Sequence, residues 1–111
     1  MGADTMVNDE TIQHIVNVIT THLYPRRIIL FGSHARGDAG PDSDPDIFVE
    51  LDPPLPARGR GRHIKQLFDP YPCPMDIVVY SPEEVAYWEK APASLVTSVL
   101  RERKVLYERS Q

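Results

Sequence analysis

The sequence predicts an α/β fold in which a small β-sheet is flanked by helices. Three short apolar runs rich in β-branched residues, at about 27–31, 46–51 and 75–80, are typical of buried strands. Segments with helical spacing or helix-start signals lie around them, so helices and strands alternate along the chain. With 111 residues we expect a single domain over 1–111 that has a loose N-terminal end at 1–8.

The first predicted element is an amphipathic helix. Asn8 or Asp9 can cap its start, and the helix is expected to end before Pro25. Its apolar residues are spaced to line one helical face, and they are Ile12, Ile15, Val16, Ile19 and Leu23.

The connections between strands are predicted to hold short helices. The turn Gly32-Ser33 ends the first strand, and a short helix over 34–36 is expected to end within 37–41. The basic segment Arg58–Arg62 has neither strand nor strong helix periodicity, which predicts an exposed loop. A short helix is expected after it, at about 63–68.

The last third of the chain carries a clear helix start. Ser81 is a capping serine, Pro82 stands at the first helical position, and Glu84 lies three residues after the cap. This helix is expected to carry Val85 and Trp88 into the core. A final helix is predicted from the apolar residues Leu95, Val96, Val99 and Leu100, and the run Val105-Leu106-Tyr107 predicts a closing strand.

Composition excludes several classes of protein. A net charge of −4 lacks the basic excess that is usual in nucleic-acid binding, so no direct binding to nucleic acid is expected. The single cysteine, Cys73, forms no internal disulfide, and no Cys/His cluster has zinc spacing. There is no signal-peptide pattern and no apolar run approaching about 18 residues. We therefore expect a cytoplasmic protein without a membrane anchor.

Three aspartates stand at the heads of predicted strands. Asp44 and Asp46 precede the second strand, and residues two apart on a strand project to the same side. Asp76 stands in the same way before the third strand. If these strands are neighbours, three carboxylates converge, and their mutual repulsion must be relieved by a cation. The pattern predicts an all-oxygen site suited to Mg²⁺.

A phosphate site is predicted beside these carboxylates. The backbone N–H groups of Gly32-Ser33 can face an anion, and a phosphate cradle next to a divalent metal suits a nucleoside triphosphate. Phosphoryl or nucleotidyl transfer uses such a site. We assign Asp44 and Asp46 as metal ligands, and Asp76 as a further ligand or as the general base on the acceptor hydroxyl.

The combined string resembles a known signature. Gly32-Ser33, ten residues and Asp44-x-Asp46, with Asp76 on a later strand, is similar to the minimal nucleotidyltransferases of the DNA polymerase β-like superfamily. The resemblance implies a polymerase β-like α/β (α+β) fold with a mixed sheet. It also implies Mg²⁺, ATP and transfer of a nucleoside monophosphate to a hydroxyl. One departure is Pro45 between the aspartates, so the strand must start there, lie at an edge or be bulged.

Many small members of this superfamily resemble the antitoxin of a toxin–antitoxin pair. Their partner is a helical HEPN-domain ribonuclease, and they neutralise it by attaching AMP to a tyrosine. The resemblance therefore implies a protein adenylyltransferase that forms a complex with its toxin. Two alternatives stay open: a non-catalytic antitoxin that acts by binding, and a nucleotidyltransferase that acts on a small-molecule hydroxyl.

The roles of the basic residues near the motif also stay open. Arg36 is predicted to contact a phosphate as part of the nucleotide site, or to hold the turn by pairing with a carboxylate. The arginines of the segment Arg58–Arg62 either meet ATP phosphates or an acidic partner surface, or form a solvated loop. His34 is interpreted as a surface or helix-start residue.

Overall fold

The computed structural model describes residues 9–40, 43–52, 59–70 and 72–109. The predicted loose end at 1–8 and Arg58 lie outside the described residues. In chain order the elements are α1 Asp9–His22, β1 Pro25–Phe31, α2 Ser33–Arg36, β2 Asp46–Leu51, α3 Arg60–Lys65, β3 Asp76–Tyr80, α4 Pro82–Trp88, α5 Leu95–Glu102 and β4 Lys104–Glu108. The predicted helices and strands are thus present. α3 spans Arg60–Lys65, whereas the sequence predicted this helix at about 63–68.

The four strands form one mixed sheet in the order β3-β2-β1-β4. β1 pairs antiparallel with both β2 and β4, whereas β2 and β3 are parallel. This confirms the predicted small mixed sheet flanked by helices. Because β2 and β3 run the same way, their first residues lie at one end of the sheet, and Asp46 stands opposite Asp76. Phe31, the last residue of β1, pairs with Asp46 at that same end.

Helices cover the two faces of the sheet and form two apolar cores. The side chains of β2 alternate between the faces, so Ile47 and Val49 pack in the core that holds α1 and α3, and Phe48 packs against α4 and α5. Asp46, two residues before Phe48, is therefore placed on the α4/α5 face. Among the described helices, none combines the length and hydropathy needed to cross a bilayer.

The prediction of an exposed loop at the basic segment was wrong for its described part. Arg60 and Arg62 lie on α3, which begins after Gly59 with φ 75° and buries Ile64 completely. Gly61 lets this helix approach β3 closely, since a Cβ there would come within 2.6 Å of the Ile77 carbonyl oxygen. α3 therefore packs on the sheet through Ile64 and Gly61, which are tertiary contacts that the local sequence pattern does not reveal.

The expectation that Trp88 lies in the core was also wrong. Trp88 is 42% exposed, and its ring packs edge-on against Tyr87 with centroids 4.9 Å apart. α4 ends at Trp88, so no further helical turn holds the indole over the sheet, and Val85 supplies the buried contact of this helix. Leu95, at the first turn of α5, is likewise 41% exposed, while Val96 and Val99 are fully buried.

Candidate active site

The centre of the site is a pair of carboxylates at the shared start of β2 and β3. Asp46 is half-buried, Asp76 is exposed, and the two stand opposite each other in the parallel register. Burial raises the pKa of Asp46 first, and the nearby carboxylates of Asp76 and Asp44 raise it further. The two strand-head aspartates therefore share one electrostatic environment, as the sequence pattern predicts, with exposed Asp44 as a weaker third neighbour.

Pro45 fits this arrangement because β2 begins at the following residue. Pro45 is fully buried, and its carbonyl oxygen accepts the backbone N–H of Asp76 at 3.0 Å. Proline lacks only the donor, so the first bond between the two strands is made through its acceptor. Of the three possibilities for Pro45, the structure has the strand starting there, and the bond ties both strand heads together.

Gly32 lies directly against Asp46. Its φ of 77° belongs to the left-handed region that favours glycine. A Cβ at this position would collide with the carboxylate oxygen Oδ2 of Asp46. The carbonyl of Gly32 also accepts the N–H groups of Ala35 and Arg36, which forms α2 immediately after the turn. The Gly32-Ser33 turn and the carboxylate pair are thus in contact, and glycine is the residue that permits it.

The side chain of Glu102, at the end of α5, was not anticipated from the sequence. Its Oε1 accepts the backbone N–H of Gly32 at 3.2 Å, and its Oε2 accepts Nη1 of Arg36 at 3.2 Å. Arg36 also donates from Nε to Asp38 at 3.2 Å, and Asp38 and Glu102 both raise the pKa of Arg36. In this structure Arg36 therefore pairs with carboxylates, which is the second of the two predicted alternatives. Contact of Arg36 with a phosphate stays a prediction.

Glu102 left no signal in the sequence because it stands 70 positions from Gly32. A single glutamate at the end of an amphipathic helix is most simply interpreted as a solvated residue. Only the packing of α5 on the sheet, through Val96 and Val99, brings it to the turn. The contact is tertiary, and no local pattern encodes it.

His34 connects α2 to the segment that leads into Asp44. Its Nε2 donates to the carbonyl oxygen of Ser43 at 2.9 Å. Its charge also lowers the pKa of Asp46, although this effect is smaller than those of burial and Asp76. The surface or helix-start residue expected from the sequence thus fixes the chain on the approach to the carboxylates.

The described arginines of the basic segment lie on α3, and the partners of Arg60 lie on β3 and α4. Nη1 of Arg60 donates to Oε1 of Glu84 at 2.6 Å and to the carbonyl of Val79 at 3.3 Å. Arg60 therefore joins α3, β3 and α4, while Arg62 is exposed on α3. Arg60 thus has partners within its own chain, while contact of these arginines with ATP phosphates or an acidic partner surface stays a prediction.

The carboxylates have the chemistry of a hard-cation site. Among the described residues, no three His, Cys, Asp or Glu side chains are already arranged to hold a metal ion. Asp46 and Asp76 nevertheless stand opposite each other, and burial together with the Asp76 carboxylate disfavours the negative charge of Asp46 and so raises its pKa. Carboxylate oxygens are the ligands that Mg²⁺ takes in proteins. The donor set thus fits a divalent cation, which would relieve this repulsion.

A mixed four-stranded sheet flanked by helices, with a glycine turn against paired carboxylates, defines a small α+β fold. Residues 12–107 match the family model described as the nucleotidyltransferase domain. The chain therefore belongs to the nucleotidyltransferase domain family, which confirms the resemblance drawn from the motif. No relative was found among curated protein sequences.

Two crystal structures of toxin–antitoxin complexes have a similar fold. One is a toxin–antitoxin with AMP-PNP, with a TM-score of 0.60 and 22% identity over 87% of this chain and 73% of that chain. The other is a mutant of the MntA–HpeT toxin–antitoxin, with a TM-score of 0.59 and 21% identity over 94% of this chain and 75% of that chain. At this identity the likeness shows a common fold.

Proposed function

We propose that this protein is a Mg²⁺-dependent adenylyltransferase that acts as an antitoxin. It transfers AMP from ATP to a tyrosine hydroxyl of a partner toxin, a HEPN-type ribonuclease. The observation that carries the proposal is the in-register pair of Asp46 and Asp76 at the sheet end where Gly32 touches Asp46. Family membership supports nucleotidyl transfer as the reaction.

The residues take the following roles in this proposal. Asp44 and Asp46 would hold Mg²⁺, with Asp76 as a further ligand or as the general base. When bound there, Mg²⁺ would supply positive charge that offsets the charge of the phosphates and favours ionisation of the attacking hydroxyl. Gly32 and Ser33 hold phosphate oxygens through their backbone N–H groups.

The transfer step conserves every atom. The tyrosine oxygen attacks the α-phosphorus of ATP, a new phosphorus–oxygen bond forms, and the bond to the β-phosphate oxygen breaks. Pyrophosphate leaves with the electron pair of that bond, and the hydroxyl proton passes to Asp76 in its role as base. Because Asp76 stands at the exposed edge of the pair, it is accessible to an acceptor side chain that a second protein presents.

The structural neighbours support the choice of nucleotide and partner. One neighbouring complex was crystallised with AMP-PNP, an analogue of ATP. Both neighbours are toxin–antitoxin complexes, which makes a protein the favoured acceptor over a small molecule. The HEPN identity and the tyrosine acceptor rest on the resemblance of the motif to small antitoxin nucleotidyltransferases.

A second candidate function is neutralisation by binding alone. It is favoured by Glu102, which engages the N–H of Gly32 and the guanidinium of Arg36 where a phosphate is expected. A chain that acts in this way binds its toxin without consuming ATP.

Intact-mass spectrometry separates the two candidates. The tagged protein is incubated with its co-purified HEPN-type toxin, ATP and Mg²⁺, beside the double variant Asp44→Asn/Asp46→Asn. Asp52→Asn, which removes an exposed charge at the far end of β2, is the matched control. We expect the toxin to gain the mass of one or more AMP units with wild type and Asp52→Asn, and none with the double variant. An inhibited toxin of unchanged mass would overturn the enzymatic proposal and favour binding alone.

A further inference from the structure

We infer that Glu102 is an internal competitor for nucleotide phosphate at the Gly32-Ser33 turn, and that ATP must displace its carboxylate to bind. The inference rests on the proposed function, because it assumes that this turn and Arg36 receive phosphates. It adds a residue that sets nucleotide affinity and that lies outside the sequence motif.

The contacts of Glu102 are those that a phosphate would make. One carboxylate oxygen accepts a backbone N–H and the other accepts a guanidinium N–H, each at 3.2 Å. Backbone amides and arginine are the usual donors to phosphate oxygens. Two of the donors assigned to the nucleotide from the sequence, the N–H of Gly32 and the guanidinium of Arg36, are thus bound to one anionic side chain. A phosphate and this carboxylate cannot accept the same Gly32 proton.

Helix packing places the carboxylate at the turn. α5 is anchored on the sheet by the fully buried Val96 and Val99, and Glu102 is its last residue. The chain then enters β4, whose Lys104 pairs with Leu30 near the end of β1. The segments before and after Glu102, α5 and β4, are therefore both fixed on the sheet, and they hold Glu102 at the turn.

The contact is nevertheless weak enough to be displaced. Both hydrogen bonds are at the long end of the usual range for N–H···O bonds. The side chains of Arg36 and Glu102 are 46% and 27% exposed, so water can replace each partner. A nucleotide carrying several phosphate charges and a bound cation can compete with it.

Glu102 also adds negative charge beside a site that is already acidic. The backbone of Gly32 contacts Glu102 through its N–H, and its Cα side faces the carboxylate of Asp46. An incoming triphosphate therefore meets Glu102 next to the aspartate pair. Removing the charge of Glu102 should favour nucleotide binding on two grounds, less repulsion of the phosphates and weaker competition for the Gly32 and Arg36 donors.

Calorimetric titration with ATP and Mg²⁺ tests the inference. Glu102→Gln keeps the size of the side chain and removes its charge, and we expect it to bind ATP about three- to tenfold more tightly than wild type. Glu102→Ala should change affinity in the same direction. Asp38→Asn is the matched control. Asp38 also accepts a hydrogen bond from Arg36 at 3.2 Å, but the N–H of Gly32 is given to Glu102 and not to Asp38. We expect a smaller change for this variant.

Two further measurements make the result specific. Adenosine, which has no phosphate, should bind wild type and Glu102→Gln equally. In ¹⁵N spectra the Gly32 amide should shift in nucleotide-free Glu102→Gln, and it should shift in wild type when ATP is added. Thermal melting of each variant verifies that it is folded.

The outcomes separate this inference from the proposed function. Equal or weaker ATP binding by Glu102→Gln, with wild type binding normally, would overturn the inference and leave the proposed function standing. Failure of wild type and all variants to bind ATP would overturn both.

Discussion

At the scale of single residues, Gly32 joins the parts of the site. It contacts the Asp46 carboxylate on one side and gives its N–H to Glu102 on the other. We predict that Gly32→Ala abolishes ATP binding, because its Cβ must push Asp46 away and its φ of 77° is strained for alanine. Calorimetry with ATP and Mg²⁺ measures the loss, and thermal melting measures the accompanying destabilisation.

Gly37→Ala is the matched control for that substitution. Gly37 has a similar φ of 84°, but a Cβ there meets nothing within 4 Å. It should cost about 1 kcal/mol of stability from backbone strain and leave ATP binding intact. Equal loss of ATP binding in both variants would show that backbone strain, and not the contact with Asp46, is responsible.

The same residues show how far local sequence can predict a site. The spacing of Gly32, Asp44 and Asp46 predicts a turn beside carboxylates because strand geometry fixes which side chains project together. Asp76 requires one more assumption, that β2 and β3 are neighbours, and the structure has them paired in register. Glu102 is beyond such reasoning, since its place depends on how α5 packs against a sheet formed by distant segments.

At the scale of elements, the junction of α3, β3 and α4 is held by one polar cluster. Ser81 and Glu84 form a capping box at the start of α4, and Arg60 of α3 donates to the Glu84 carboxylate at 2.6 Å. The bond from Arg60, followed by that from the Ser81 backbone, lowers the pKa of Glu84. Arg60 thus fastens α3 to the start of α4 beside the edge strand β3.

We predict that Glu84→Gln lowers stability at pH 7 by roughly 0.5–1 kcal/mol. A carboxyl whose pKa is lowered by folding contributes stability above its ordinary pKa, and that contribution is lost as the pH falls through the folded value. Wild type and Glu84→Gln should therefore converge in stability as the pH falls through the lowered pKa of Glu84, measured by urea unfolding at each pH.

Glu83→Gln is the control, since Glu83 is exposed in the same first turn and shares its interaction with the helix dipole. A difference between wild type and Glu84→Gln that stays constant with pH would contradict the assignment to the ionised pair.

The two helices of this junction also differ in how far the sequence predicts them. α4 could be placed at its first residue because capping is local: a serine, a proline and a glutamate at fixed spacing define the start. α3 could not, because its start depends on the left-handed Gly59 and on Gly61 meeting the Ile77 carbonyl of another segment. Trp88 was misplaced for a related reason, since the capping signal shows where α4 begins but not that it ends at Trp88.

At the scale of the whole molecule, the candidate site lowers the stability of the fold that carries it. Burial and the neighbouring carboxylates raise the pKa of Asp46, so its ionised form is less favourable in the folded chain than in the unfolded chain. The folded state binds a proton more tightly here, and stability therefore falls as the pH rises through the folded pKa of Asp46. Other interactions of the sheet offset this loss of stability. β2 and β3 pair along their length and bury Ile47, Val49 and Val79 beneath α1 and α3.

We predict that Asp46→Asn melts at a higher temperature than wild type at pH 7, because the substitution removes one of the repelling charges. The difference should shrink on acidification, when Asp46 of the wild type takes up its proton. Mg²⁺ should raise the melting temperature of wild type and not that of Asp46→Asn, since the cation relieves the same repulsion. Asp52→Asn, at the exposed far end of β2, should respond to Mg²⁺ as wild type does. If Asp46→Asn is less stable than wild type at neutral pH, the prediction is contradicted. That result would mean that the ionised Asp46 carboxylate stabilises the fold.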